Sequence, residues 1–81
     1  MTGTKWTDYL PGDIYSRLCH CKSTKEDLPA LVNAKWRYMK EQGKGFTKED
    51  ALIGILELLD ANGQWQVGEL TKDEYNELKE E

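Results

Sequence analysis

The sequence predicts a mostly α-helical fold: a compact bundle of three to four short helices with a short extended segment near Trp65. Apolar residues recur at three- and four-residue intervals, helix-start signatures precede these runs, and glycines follow them. Of the 81 residues, 38% are hydrophobic and 32% are charged, which lies within the range of globular domains. We therefore expect one domain over residues 1–81, with residues 1–12 forming an N-terminal arm.

The arm carries aromatic residues and ends at the turn signal Pro11-Gly12. Asp13 can cap a first helix over 14–21, because its carboxylate can accept hydrogen bonds from first-turn amides. The side of this helix that faces the core is expected to consist of Ile14, Tyr15, Leu18 and Cys21.

A second helix is predicted over 28–42. Pro29 has no amide hydrogen to donate and suits a first turn, so Asp27 is the expected cap, and Gly43 supplies a left-handed stop. Its core-facing residues are Leu28, Leu31, Val32, Trp36 and Met39. Lys35 projects into this apolar side, so its stem should lie along the apolar surface, or its ammonium should pair with an acid of the third helix.

The third helix, over 48–60, is expected to be the central helix of the bundle. Thr47 is its predicted N-cap, and Phe46 is placed to pack on Ala51. At the helical spacing its apolar residues fill an arc of about 160°. They are Ala51, Leu52, Ile55, Leu56, Leu58 and Leu59. Ile53 lies outside this arc, where it is available to a partner or to the arm.

Asn62-Gly63 is predicted to end the third helix, and the apolar residues that follow alternate with glutamines, which indicates the extended piece around Trp65. Thr71 and Glu74 then form a capping box that starts a last helix.

Three similar tetrapeptides begin at Thr24, Thr47 and Thr71. The residues that flank them do not match, and acids near a helix N-terminus complement its partial positive charge. We interpret the similarity as convergent helix capping and not as an internal repeat.

Charge is unevenly distributed along the chain. Residues 17–48 carry eight basic and three acidic side chains, whereas residues 49–81 carry two basic and ten acidic ones. Neutralisation between helices of one molecule is the simplest interpretation. Head-to-tail self-association and a charged partner are the alternatives.

Cys19-His20-Cys21 is the most reactive-looking cluster, but it supplies only one pair of the ligands that a four-coordinate zinc site needs. On a helix, His20 points about 100° away from either thiol, which disfavours cysteine–histidine catalysis. We predict no metal, no cofactor and no small-molecule substrate. Two cysteines are too few for a secreted disulfide scaffold, and no apolar run approaches the roughly 20 residues of a membrane span, so a cytoplasmic location is expected.

The chain holds three tryptophans and four tyrosines, more large anchors than so small a core requires, and aromatic residues are enriched at binding hot spots. We therefore predict a non-enzymatic protein-binding module that inhibits, adapts or regulates a larger protein. The short length and the scarcity of motifs are also typical of phage and mobile-element products. The predicted partner contacts are Trp6, Tyr9, Ile53, Trp65, Glu74 and Glu77.

Two alternative functions remain open from the sequence. A nucleic-acid-associated regulator would use the basic residues Arg37, Lys40, Lys44 and Lys48. A helix-turn-helix version is disfavoured, because the third helix would present acidic side chains to phosphates. The other alternative is a self-associating structural protein.

Overall fold

The structure, a computed structural model, describes residues 5–43, 45–61, 63 and 70–80. Four α-helices lie within them: α1 (Gly12–Cys19), α2 (Leu28–Glu41), α3 (Lys48–Ala61) and α4 (Lys72–Lys79). One 3₁₀ turn, Trp6–Tyr9, precedes α1, and another, Lys25–Asp27, leads into α2. No strand occurs in these ranges, so the prediction of a mostly helical bundle is confirmed. The extended segment predicted near Trp65 lies outside the described residues.

None of the helices that the structure describes is both long and apolar enough to cross a membrane.

The core lies between α2 and α3, which are also the longest described helices. The fully buried apolar side chains of the core cluster are Leu28, Leu31, Val32, Ala51, Leu52, Ile55 and Leu59. Trp36 and Met39 pack against this cluster from α2, as the spacing of apolar residues predicts.

The expected central position of α3 is corrected by the structure. α2 packs against α3, α4 and both 3₁₀ turns, whereas α3 packs mainly against α2 and α4. The difference arises because the N-terminal arm lies along α2, and the sequence pattern alone does not place this arm. Among the described elements, α2 therefore contacts more of the others than α3 does.

α1 begins one residue before the predicted cap. The Pro11 carbonyl accepts the first helical hydrogen bond from the Tyr15 amide at 2.9 Å, so Asp13 lies inside the first turn. Ile14 and Leu18 pack against the core, as predicted, whereas Tyr15 is exposed.

The end of α1 is set by a left-handed residue, Cys21, with a φ of 56°. The Lys22 amide donates to the Arg17 carbonyl at 2.8 Å, and the Cys21 amide donates to the Leu18 carbonyl at 3.2 Å. These two bonds form a Schellman motif, whose left-handed position usually holds glycine because a Cβ is crowded there. The predicted helix over 14–21 therefore stops at Cys19, and Cys21 is exposed instead of facing the core.

Capping boxes begin α3 and α4. The Thr47 amide donates to the Asp50 carboxylate at 2.8 Å, and the Asp50 amide donates back to the Thr47 hydroxyl at 3.3 Å. The corresponding distances between Thr71 and Glu74 are 2.9 Å and 3.2 Å. A third box starts at Thr24, so all three of the similar tetrapeptides lie at the start of a helical element, as convergent capping predicts.

Asp27 precedes α2, as predicted, but its carboxylate makes no hydrogen bond to the first-turn amides of that helix. It accepts instead from the Thr24 amide at 3.3 Å and from Nε and Nη2 of Arg17 at 2.8 Å and 2.7 Å. The hydrogen bonds from Arg17, helped by the Thr24 amide, hold the pKa of Asp27 below its usual value. Its side chain therefore joins α1 to α2.

Candidate protein-binding surface

The outer face of α3 presents four exposed side chains: Asp50, Ile53, Glu57 and Asp60. We call this set the α3 stripe. At the helical spacing they occupy an arc of about 80° opposite the buried Ile55, and about 15 Å of helix axis separates the first from the last. Ile53 is 42% exposed, so its predicted position outside the core is confirmed.

Two carboxylates of the α3 stripe lack a cationic partner in the part of the molecule that the structure describes. No Lys, Arg or His nitrogen of that part lies within ion-pair distance of Glu57 or Asp60. Asp50, in contrast, is used in the capping box of α3. An exposed apolar side chain on a helix face that also carries carboxylates suits binding, since hot spots commonly combine an apolar centre with a polar rim.

The predicted set of partner contacts does not include the acids of the α3 stripe, Asp50, Glu57 and Asp60. The signal for them is nevertheless present in the sequence, because the helical projection places Ile53 between Glu57 and Asp60. What the projection cannot show is which acids pair within the fold. The packing of the helices is needed to show that Glu74 pairs with Lys25, whereas Glu57 has no cationic partner among the described residues.

Two basic side chains lie on the outer face of α2. Asn33, Arg37 and Lys40 are all exposed, and we call these three residues the α2 stripe. The Arg37 guanidinium lies 5.2 Å from the centre of the Tyr9 ring, and the Lys40 ammonium lies 5.4 Å from the centre of the Trp36 ring. Neither cation forms an ion pair with a described carboxylate, so both keep their charge available on the surface.

The predicted contacts of the arm are half-buried against the protein itself. Trp6 packs on the core, and the Tyr9 hydroxyl donates a hydrogen bond to the Glu41 carboxylate of α2. These contacts explain how the arm is held in place. Whether Trp6 and Tyr9 also touch a partner stays a prediction, and the predicted contact Trp65 lies outside the described residues.

Lys35 crosses from α2 over α3. Its Cε lies 3.7 Å from the position that a Cβ on Gly54 would take, and its ammonium lies 5.7 Å from the centre of the Trp6 ring. Of the two predicted arrangements, the structure therefore shows the stem lying along the apolar surface, and no ion pair with an acid of α3.

The two predicted contacts on α4 differ in their surroundings. Glu74 accepts a hydrogen bond from the Thr71 amide and pairs with Lys25 at 3.2 Å. Both interactions lower the pKa of Glu74, and the hydrogen bond from the Thr71 amide has the larger effect. Glu77 is exposed and lines two shallow cavities of about 130 and 110 Å³ next to Pro29. Contact with a partner stays a prediction for both, although Glu74 already has an internal cation.

The structure describes three of the four basic residues of the nucleic-acid alternative, and that alternative stays a prediction. Lys48 is half-buried at the start of α3, where it lines a cavity with Pro29 and Asn33 at the N-terminal half of α2. Lys40 lies about 10 Å further along the α2 axis than Asn33. Lys44 lies outside the described residues.

The thiols of Cys19 and Cys21 are exposed and not in a disulfide. The His20 ring is turned back onto α1, with Nδ1 2.7 Å from the Ser16 carbonyl oxygen. A hydrogen bond with Cys19 raises the pKa of the Tyr15 hydroxyl. Among the residues that the structure places, no group of three His, Cys, Asp or Glu side chains converges in a way that could hold a metal ion.

No protein family, no curated protein and no solved structure matches this chain.

Proposed function

We propose that this protein is a small protein-binding module that acts as an inhibitor, adaptor or regulator. Its α3 stripe binds a basic surface of another protein. The observation that supports this proposal is the position of Ile53, 42% exposed on the same outer face of α3 as the carboxylates of Glu57 and Asp60, for which the described residues supply no cationic partner. Ile53 supplies the apolar contact, and the carboxylates select positively charged partners and accelerate their association.

The shape of the stripe narrows the chemistry of the partner. Four side chains along about 15 Å of helix match three turns of a partner helix, which would place an apolar residue against Ile53 and lysine or arginine at either end. An interface of this size is small, so we expect moderate affinity with a strong dependence on salt.

The proposal is tested by capture with the immobilised chain from a lysate of its native host, followed by mass spectrometry. The test variant is Glu57→Lys/Asp60→Lys, and the matched control is Glu26→Lys/Glu80→Lys, which makes the same charge change at exposed acids elsewhere. We expect the unmodified chain and the control to capture the same basic protein. The amount that the test variant captures should be lower by a factor of at least about ten. That factor corresponds to about 1.4 kcal/mol of binding free energy.

Capture that is undiminished in the test variant would overturn the proposal. Captured material that proves to be nucleic acid, and that is lost with Arg37→Glu/Lys40→Glu instead, would replace it with the nucleic-acid alternative.

A further inference from the structure

The α2 stripe and the α3 stripe are opposite in charge and equal in spacing. Arg37 and Lys40 are three residues apart on one helix, and Glu57 and Asp60 are three residues apart on the other. Each pair is therefore separated by about 4.5 Å along its helix axis. Two ion pairs can form together between such helices, whether they run parallel or antiparallel.

The two stripes cannot meet within one molecule. α2 and α3 pack against each other through their buried sides, which carry Leu31 and Ile55, and each stripe lies on the side of its helix that faces away from the core. Ion pairing between Arg37 or Lys40 and the α3 carboxylates thus requires a second molecule.

We infer that the α3 stripe of one copy binds the α2 stripe of a second copy, so that the protein associates head to tail. This inference rests on the proposed function in one respect, since both treat the α3 stripe as a receptor for a basic helix. Because each copy uses two different surfaces, one stripe of each kind remains open at the ends of every assembly, which allows growth or ring closure.

The expected association is weak. A single helix contributes to each side, and stable interfaces usually bury more than about 1,200 Å² in total. The net charge of −4 on each copy adds a general repulsion. We therefore expect a concentration-dependent equilibrium and not a fixed oligomer.

The test is sedimentation equilibrium of the full chain from micromolar to millimolar concentration. In 0.1 M NaCl the weight-average mass should rise above that of the monomer as concentration increases. In 1 M NaCl it should return toward the monomer value, because the screening length falls from about 10 Å to about 3 Å. Arg37→Glu/Lys40→Glu and Glu57→Lys/Asp60→Lys should each remain monomeric, since both stripes then carry the same sign.

Two further measurements separate loss of the contact from loss of the fold. An equimolar mixture of these two variants should associate, because each supplies the charges that the other lacks. The variant with all four reversals keeps the net charge of −4 and should also associate with itself. Glu26→Lys/Glu80→Lys, which leaves both stripes unchanged, should associate like the unmodified chain.

A chain that stays monomeric up to millimolar concentration in 0.1 M NaCl would overturn the inference, as would association that neither reversal weakens. The failure of this inference can be distinguished from failure of the proposed function, because Arg37→Glu/Lys40→Glu should abolish self-association but leave the α3 stripe free to capture a host protein. Self-association without capture would remove the proposed function alone, and capture without self-association would remove this inference alone.

Discussion

Arg17 holds Asp27 through two hydrogen bonds, from Nε at 2.8 Å and from Nη2 at 2.7 Å. Asp27 is only 4% exposed, so water contributes little to the solvation of its carboxylate, and the guanidinium of α1 takes that role. α1 is short and otherwise contributes Ile14 and Leu18 to the core. This pair thus links α1 to the start of α2.

Replacement of Asp27 by asparagine should lower the free energy of unfolding by about 2 kcal/mol, since an amide nitrogen then faces the guanidinium and two charge-assisted hydrogen bonds are weakened. Urea unfolding followed by circular dichroism measures this change. Asp13→Asn is the matched control, because Asp13 also contacts Arg17, at 3.6 Å, but its side chain is 70% exposed. Its effect should stay below about 0.5 kcal/mol. Equal losses in the two variants would contradict the assigned role of Asp27.

The stability of the protein should fall in acid for the same reason. The pKa of Asp27 is lowered in the folded state, so the stabilisation is complete above its unfolded value of about 3.9 and is lost as pH falls through the folded-state value. Between these two pKa values, Asp27 binds a proton in the unfolded chain but stays ionised in the folded protein. Urea unfolding between about pH 6 and pH 2 should give a steeper decline for the unmodified chain than for Asp27→Asn. A residual slope in the variant is expected from Glu74, whose pKa is also lowered.

Replacement of Cys21 by glycine should stabilise the protein. Cys21 has a φ of 56° and an exposed side chain, so glycine relieves backbone strain and removes no buried contact. Part of the gain is offset by the greater freedom of glycine in the unfolded chain. We expect a net increase of about 0.5–1 kcal/mol in the free energy of unfolding, measured by thermal or urea unfolding. Cys21→Ala keeps the strain and should give no increase. A gain of the same size with alanine would point to the thiol, and not to the backbone, as the cause.

Gly54 and Gly43 should respond in opposite directions to alanine. Among the described residues, a Cβ on Gly54 would meet Lys35 Cε at 3.7 Å, which is an ordinary contact, so Gly54→Ala should raise the free energy of unfolding by about 0.5–1 kcal/mol through helix propensity. Gly43 has open space around it but a φ of +66°, so Gly43→Ala should lower the same quantity by about 1 kcal/mol. Thermal unfolding of the two variants side by side tests both signs. Equal signs would show that conformation at Gly43 does not limit stability.

The starts of α2, α3 and α4 could be predicted because their signals are local. The reciprocal bonds between Thr47 and Asp50 connect residues three apart, and the position of Pro29 is fixed by its missing amide hydrogen. The end of α1 was predicted too far along the chain, because nothing in the cysteine side chain indicates that Cys21 adopts the left-handed conformation.

The contacts that the sequence does not reveal connect distant parts of the chain. Asp27 looks like an ordinary helix cap until α1 brings Arg17 to it. In the candidate surface, helical projection was sufficient to place Ile53 outside the core. The pairing of Glu74 depends on where Lys25 lies in three dimensions, and only the folded arrangement shows that Glu57 has no cationic partner among the described residues.

The hydrogen bond between Tyr9 and Glu41 joins residues that are 32 positions apart. During synthesis, a ribosome adds about 5–20 residues each second, so Tyr9 waits for seconds before its acceptor leaves the exit tunnel. Until then the aromatic rings of the first ten residues cannot pack against α2. A nascent chain stalled before α2 is complete would therefore expose Trp6 to chaperones, and full-length protein would not.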